Sequence, residues 1–493
     1  MTAKEISLKL LIHKEKNQVL YAESRNDFVD VLFSFLTMPI GTVIRLVGKQ
    51  SKIGCMSTIF ESVEDLDVEY LESDSWKNKF LYPKSAAEEH CRSLMVNIDD
   101  TEPTNYYLCY SKFPLSSYYN HLASTTRSNR HCQCGRTLDW KMPIAAGNGK
   151  NGVFVKGKMR YMITDDLQVL PLCMGTTLEL LKQLGISDAT VLEERNVNLG
   201  SEEVLHLLKH SLFSKMPLTD VFLPVQDTTD GVTLDLKVME LDSKDMAQSH
   251  TEKESCSNSK NMSVRLFVSK SRNKVLYAQV GKEFPDMLFN FLTFPLGSIV
   301  KCLGGCTSMG CLDNLYKSVE ELGNNDCVKS EEHRALLLDP KLSPFLGCTN
   351  QLIQIKELPR QLTIFNCSYC IGSGTYITNG DPGKCSHGNE KIQLELINPK
   401  FDAVTELGGE FMAGPATFIV TDELLVKPIS TISCLALLNQ FNLPLSDLEE
   451  QFVSMGEEQA LSILKASLTS KTVLSDVFLK KPKKLGRRSS LYS

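Results

Sequence analysis

"SLKLLIHKEKNQVLYAESRNDFVDVLFSFLTMPIGTVIRLVG" (Ser7–Gly48) and "SVRLFVSKSRNKVLYAQVGKEFPDMLFNFLTFPLGSIVKCLG" (Ser263–Gly304) are two versions of one pattern. They align without a gap at an offset of 256 through Leu66 and Leu322, with 24 of 60 positions identical. The likeness returns further on. "ITDDLQVLPL" from Ile163 matches "VTDELLVKPI" from Val420, and "LLKHSLFSKMPLTDVFL", ending at Leu223, matches "ILKASLTSKTVLSDVFL", ending at Leu479. A unit of about 220 residues written twice is a tandem duplication, too long a period for a solenoid. The expected organisation is a first repeat domain at 1–225, a flexible linker at 226–262, a second repeat domain at 263–480 and a disordered tail at 481–493. The linker holds eight acidic and four basic residues and no aromatics, so it cannot bury enough to fold alone.

Within each unit the pattern predicts its own elements. Alternation in "SLKLLIHKEKNQVLYAE" around the polar Lys14–Asn17 indicates a β-hairpin. Asn26 and Asp27 suit a helix cap, and Phe28, Val31, Leu32, Phe35 and Leu36 then follow at amphipathic helical spacing. Pro39 ends that helix, and Pro285 of the second unit stands near a first helical turn. A short hairpin is expected around Thr164–Asp165. A helix over "TTLELLKQLG" stops at Gly185, and Ser446 with Glu449 forms a capping-box pattern before a further helix. The predicted class is α+β: two homologous tandem domains, each with an N-terminal hairpin and helix, a Cys-containing middle loop and a C-terminal helical part.

Composition narrows the function classes. The chain has 493 residues, 42% hydrophobic and 23% charged, with a net charge of −6, so no overall attraction to nucleic acid or an anionic membrane is expected. No apolar run reaches the roughly 18 residues of a membrane helix, and Lys9, His13 and Lys14 break the N-terminal apolar stretch, unlike a signal peptide. Sixteen cysteines without such a signal point to free thiols or metal ligands in a reducing compartment, cytoplasmic or nuclear. The basic run Lys480 to Arg488 suits either a nuclear-import signal or a solubilising end, and no aromatics interleave with it.

"CSYCIGSGTYITNGDPGKCSH" (Cys367–His387) holds the densest ligand chemistry. Zinc takes four thiolate or imidazole ligands on short loops, and Cys367 with Cys370, then Cys385 with His387, supplies two pairs. In the first unit Cys109, Cys132 and Cys134 stand at the matching places, while Lys112 replaces the fourth; His131 or His121 is the available substitute. The expected cofactor is therefore structural zinc. The bland alternative is that these are small buried thiols.

Other constellations read as structural. His206 and His210 sit at i and i+4, but no His-Glu-x-x-His is present. The glycine segments at 46–54 and 303–310 lack a phosphate-loop pattern. Cys55 and Cys311 read as packing residues, and the acid pairs Asp165/Asp422 and Asp220/Asp476 as turns or caps.

The repeated stretches "VLYAESRNDFVDVLFSFLTMPIGTVIRLVG" and "VLYAQVGKEFPDMLFNFLTFPLGSIVKCLG", with the "SLTSKTVLSDVFL" ending, resemble the plant family known as domain of unknown function 674. The resemblance spans both units. It implies a plant protein, usually with the domain repeated, and transfers no activity. It also implies a recurrent Cys-x-Cys-Gly, here Cys132-Gln133-Cys134-Gly135, from which the second unit departs with Cys385-Ser386-His387-Gly388. No catalytic residue is assigned. The resulting expectation is a non-enzymatic scaffold or interaction protein with a protein partner. An enzyme with an inter-domain active site and a nuclear nucleic-acid-associated protein stand as alternatives.

Overall fold

The structure, a computed structural model, describes residues 4–51, 53–109, 122–125, 127–142, 152–223, 261–347, 351–366, 377–378, 390–397, 410–430, 439 and 443–479. The linker up to residue 260 and the tail from residue 480 fall outside them.

Strand β1 (Ile6–His13) turns into β2 (Gln18–Ser24), with Asn17 in the left-handed region (φ 46°) that asparagine tolerates. Asn273 does the same (φ 46°) between β10 (Met262–Ser269) and β11 (Lys274–Gly281). The alternation seen in sequence is realised, for Ile6, Leu8, Leu10 and Ile12 all point into the core. With β7 (Tyr161–Thr164), β8 (Val169–Pro171) and β9 (Leu192–Leu199) the first half builds a five-stranded antiparallel sheet, β8-β7-β2-β1-β9. The second half builds its counterpart, β16-β15-β11-β10-β17, from β15 (Thr417–Thr421), β16 (Val426–Pro428) and β17 (Leu448–Met455). Matching sequence has produced matching topology.

The helix α1 (Asn26–Ser34) starts after Arg25, not with Asn26 as its cap. Phe28, Val31, Leu32, Phe35 and Leu36 are buried, but so are Val29, Asp30, Phe33 and Ser34. A helix enclosed on all sides belongs to the middle of a core rather than to its rim. Its counterpart α9 (Glu283–Phe291) is enclosed in the same way. The reason is an exchange between halves. Helix α3 (Met56–Asp65) lies against α9 and β16 of the second half, and α11 (Leu312–Asn324) lies against α1 and β8 of the first. One continuous apolar core therefore contains residues of both halves. Helices α2 (Ile40–Val47) and α10 (Leu296–Cys302) begin after Pro39 and Pro295 beside this seam.

Helix α6 (Met174–Gln183) ends as read, with Gly185 at φ 69° donating to Lys182 O. The capping box expected at Ser446 and Glu449 does not form. Residues Leu445–Asp447 make a single 3-10 turn, and Glu449 lies in β17, which pairs with β10 over eight residues. Sheet pairing overrides the local signal, and the Asp447 carboxylate instead accepts from Ser271 N–H (2.8 Å) and Ser269 Oγ (2.6 Å) in the hairpin turn. Helices α7 (Ser201–Phe213) and α8 (Pro217–Phe222) close the first half, and α13 (Glu457–Thr469) and α14 (Val473–Phe478) the second. Asp165 accepts from Thr219 N–H (2.9 Å) and Oγ (2.6 Å), and Asp422 from the same two groups of Ser475 (both 2.8 Å), which are the capping roles expected of them.

The middle of each unit is not only loop. Beyond α4 (Ser75–Leu81) and α5 (Glu88–Cys91) come β3 (Tyr107–Cys109), β4 (Leu122–Ser124), β5 (Ser128–His131) and β6 (Thr137–Lys141). Beyond α12 (Glu331–Leu338) come β12 (Gln361–Asn366), β13 (Ile377–Thr378) and β14 (Glu390–Ile397). All seven join one sheet, β13-β12-β14-β4-β3-β6-β5, through a parallel pairing of β14 with β4. The class is thus α+β, with mostly antiparallel sheets and helices grouped around them. Among the described residues no helix is long and apolar enough to cross a membrane.

Candidate metal centre

Cys109 ends β3, opposite Leu138 of β6, just past an irregularity in the pairing. Cys132 and Cys134 lie in the turn that joins β5 to β6. Cys132 N–H donates to Arg136 O (2.8 Å) and Gly135 N–H donates back to Cys132 O (2.8 Å). Gly135 is at φ +77°, so the turn uses a backbone state that side chains disfavour. That tight reversal folds the Cys-x-Cys pair over the end of β3. The three sulfurs all lie within 4.8 Å of one another.

The surroundings are apolar. Leu108, Ala123, Leu138 and Met142 pack here with Leu362, Leu394, Leu396 and Ile397 from the second half. Cys109 and Cys132 are buried and Cys134 half-buried. Burial and the neighbouring sulfurs push the Cys109 thiol well above its ordinary value. Burial acts on Cys132 in the same direction, but the N–H groups of Cys134 and Leu122 and the Cys109 thiol outweigh it and lower its pKa. Cys132 is thus more readily ionised than Cys109, and three clustered sulfurs are a donor set suited to a soft or borderline cation. Zinc bonded to sulfur at about 2.3 Å in a tetrahedron sets sulfurs about 3.8 Å apart, so a contraction of at most about 1 Å would seat it.

The structure brings together Cys109, Cys132 and Cys134. His131 is exposed and does not join them, and among the described residues no fourth donor does. His121 lies outside the described residues, as do Cys367, Cys370, Cys385 and His387. His206 and His210 gather no metal-ligand group among the described residues, and His210 Nδ1 lies 3.3 Å from Asp220. Cys55 and Cys311 are buried with thiols pushed up to about 12 by that burial, as packing residues would be.

A family model described as "Protein of unknown function (DUF674)" matches residues 2–458. The chain belongs to this family. No curated protein and no solved structure matches it. Identification as a DUF674 protein accounts for both halves at once.

Sequence reading passed over two buried acids that this DUF674 fold depends on. Asp30, inside α1, accepts from the N–H groups of Val153 (2.7 Å), Phe154 (2.7 Å) and Val155 (3.0 Å). Asp286, inside α9, accepts from Met412 N–H (2.9 Å). Burial pushes them up, to about 6 and about 7. The signal was present: an acid at matched positions in "FVDVLF" and "FPDMLF", amid residues that were otherwise apolar. His90 was passed over as well. It is largely buried against Phe154 and His333, and burial lowers its pKa to about 4.

Proposed function

We propose that this chain is a non-enzymatic scaffold or interaction protein whose third sheet is pinned by a structural zinc ion at Cys109, Cys132 and Cys134. The observation that carries the reading is the mutual proximity of three sulfurs in an apolar setting, with the Cys132 pKa lowered by the N–H groups around it. An ion there ties the end of β3 to the β5–β6 turn, adding to the sheet pairing of these short elements. In this proposal the second half carries the related set Cys367, Cys370, Cys385 and His387. The described strands favour it, because Asn366, just before Cys367, pairs with Glu390, three residues beyond His387. The protein works inside the cell, in cytoplasm or nucleus, and binds a protein partner. Free thiols support the compartment: all ten described cysteines are unbridged.

The test is elemental analysis of the purified full chain beside two variants, Cys132→Ser/Cys134→Ser and Cys367→Ser/Cys385→Ser. Each pair is expected to lose one zinc equivalent. Zinc near zero in the unaltered chain would end the metal reading.

A further inference from the structure

Many contacts that the first half makes on the second have a counterpart running the other way. Ile40 N–H donates to Phe294 O (3.0 Å), and Leu296 N–H to Met38 O (3.0 Å). Cys55 N–H donates to Ser467 O (2.8 Å), and Cys311 N–H to Ser211 O (2.9 Å). The two thiols repeat the rule, Cys55 Sγ donating to Ser470 O (3.0 Å) and Cys311 Sγ to Ser214 O (3.2 Å). Val426 N–H donates to Ser62 Oγ (3.0 Å), and Val169 N–H to Ser318 Oγ (2.9 Å). Glu72 N–H donates to Phe411 O and Lys329 N–H to Phe154 O, both at 2.9 Å. Bridges Leu71↔Met412 and Val155↔Val328 are likewise a pair, whereas Pro39↔Pro295 joins a residue to its own counterpart.

Residue i meeting j while the counterpart of j meets the counterpart of i is the signature of an isologous two-fold interface between identical subunits. Here it lies within one chain. We infer that each repeat is a protomer whose exchanged surface is made for a second copy of the same fold, and that the other repeat is that partner. Neither half is then a self-contained unit, and the connection between them is not what holds them together. The bonds are backbone-to-backbone or at least part-buried, and α3 and α11 each complete the other half's core. Closeness of approach sets the specificity. Gly54 (φ +47°) and Gly310 (φ +42°) press against Ser467 O and Ser211 O, where any Cβ would collide with a carbonyl.

The test uses the full chain with a protease recognition sequence placed within residues 226–260, cleavage being verified on a denaturing gel. The cut protein is expected to elute as one species at the size of the uncut chain and to unfold in a single transition. Elution as two species of half size would overturn the inference. In Gly54→Ala/Gly310→Ala the cut halves are expected to part, and halves that stay joined would count against the surface named. Should that variant not fold, Ser62→Ala/Ser318→Ala removes two exchanged bonds without adding bulk. The urea concentration at which its cut halves separate should fall, and an unchanged value would refute the assignment.

Discussion

Asp30→Ala tests whether a buried carboxylate organises the seam. Its oxygens accept three backbone N–H groups from Val153–Val155, the segment whose far side bridges Val328 and donates from Lys156 to Cys327 O. Alanine strands those donors in the core. At about 2 kcal/mol for each buried unpaired N–H, the three cost about 6 kcal/mol. Burial holds the Asp30 pKa near 6 against 3.8, and releasing that strain offsets about 3 kcal/mol. The net expectation is a loss of about 3 kcal/mol. Asp286 is a built-in control, because its carboxyl is pushed further, to about 7, and only Met412 and Phe411 donate backbone bonds to it. Two donors at about 4 kcal/mol set against relief of about 4 kcal/mol leave Asp286→Ala close to neutral at pH 7. Both are read from urea unfolding of the full chain, with unchanged slope. A loss under about 1 kcal/mol for Asp30→Ala, or a larger loss for Asp286→Ala, would refute the argument. The pH dependence has a definite sign. An acid whose folded pKa is raised contributes stability that is complete below about 4 and fades as pH climbs through 6 and 7. Asp286→Ala should therefore lack the stabilisation that the parent gains on acidification from pH 7 to pH 4.

His90 works in the opposite direction. Its folded pKa lies near 4 against 6.5, so it favours folding above pH 6.5 and forfeits about 3 kcal/mol as pH falls to 4. His90→Phe should flatten that limb in unfolding measured across the range, and an unchanged slope would contradict the burial. Cys173, exposed at the start of α6, has its pKa lowered by Thr176 hydroxyl and N–H bonds. Brief iodoacetamide treatment of the native chain should label it ahead of the buried Cys55, Cys91 and Cys311, as read by peptide mass spectrometry; equal labelling would contradict the fold. For the sulfur site, Cys109→Ser in zinc-loaded protein should lower the melting temperature, while strong chelation should bring parent and variant together. A gap that survives chelation would show that packing, not metal, is at stake.

The parts of the fold that were legible are those whose signal is local. The hairpins at Asn17 and Asn273, the buried stripe of Phe28 to Leu36 and the Gly185 stop each follow from a few neighbouring residues. What failed was non-local. Ser446-x-x-Glu449 carries a helix-start pattern, yet β10 offers eight residues of pairing that the pattern cannot register. The enclosure of α1 was hidden because the helix that covers it, α11, comes from the other half, almost three hundred residues on by the numbering. Spacing alone matched Cys109 with Cys132 and Cys134, but only the β3–β6 pairing shows that strand and turn place their sulfurs together. Asp30 was written plainly in both copies, though its partners lie more than 120 positions away.

The two halves correspond along much of the seam and part company in the third sheet. Across the seam several paired positions keep their residues: Gly54 and Gly310, Cys55 and Cys311, Asp30 and Asp286, Ser62 and Ser318. Gly54, Cys55 and Ser62 meet the same backbone partners as their counterparts, so the same residue serves the same contact twice. The third sheet breaks that equivalence. Strand β3 lies between β4 and β6 as β12 lies between β13 and β14, so the two sub-sheets share a plan. Yet they join β4 to β14, and the equivalent junction, β6 to β13, is not made in the described sheet order. The first sulfur set therefore sits beside the junction, where the Leu122 N–H of β4 reaches Cys132, while β13 is left at the sheet's edge. In the sequence alignment Lys112 stands against Cys370 and Cys134 against His387. Supplying the fourth aligned ligand by Lys112→Cys probes the proposed site. Zinc bound per chain should rise, and an unchanged value would count against a four-ligand site in the first half.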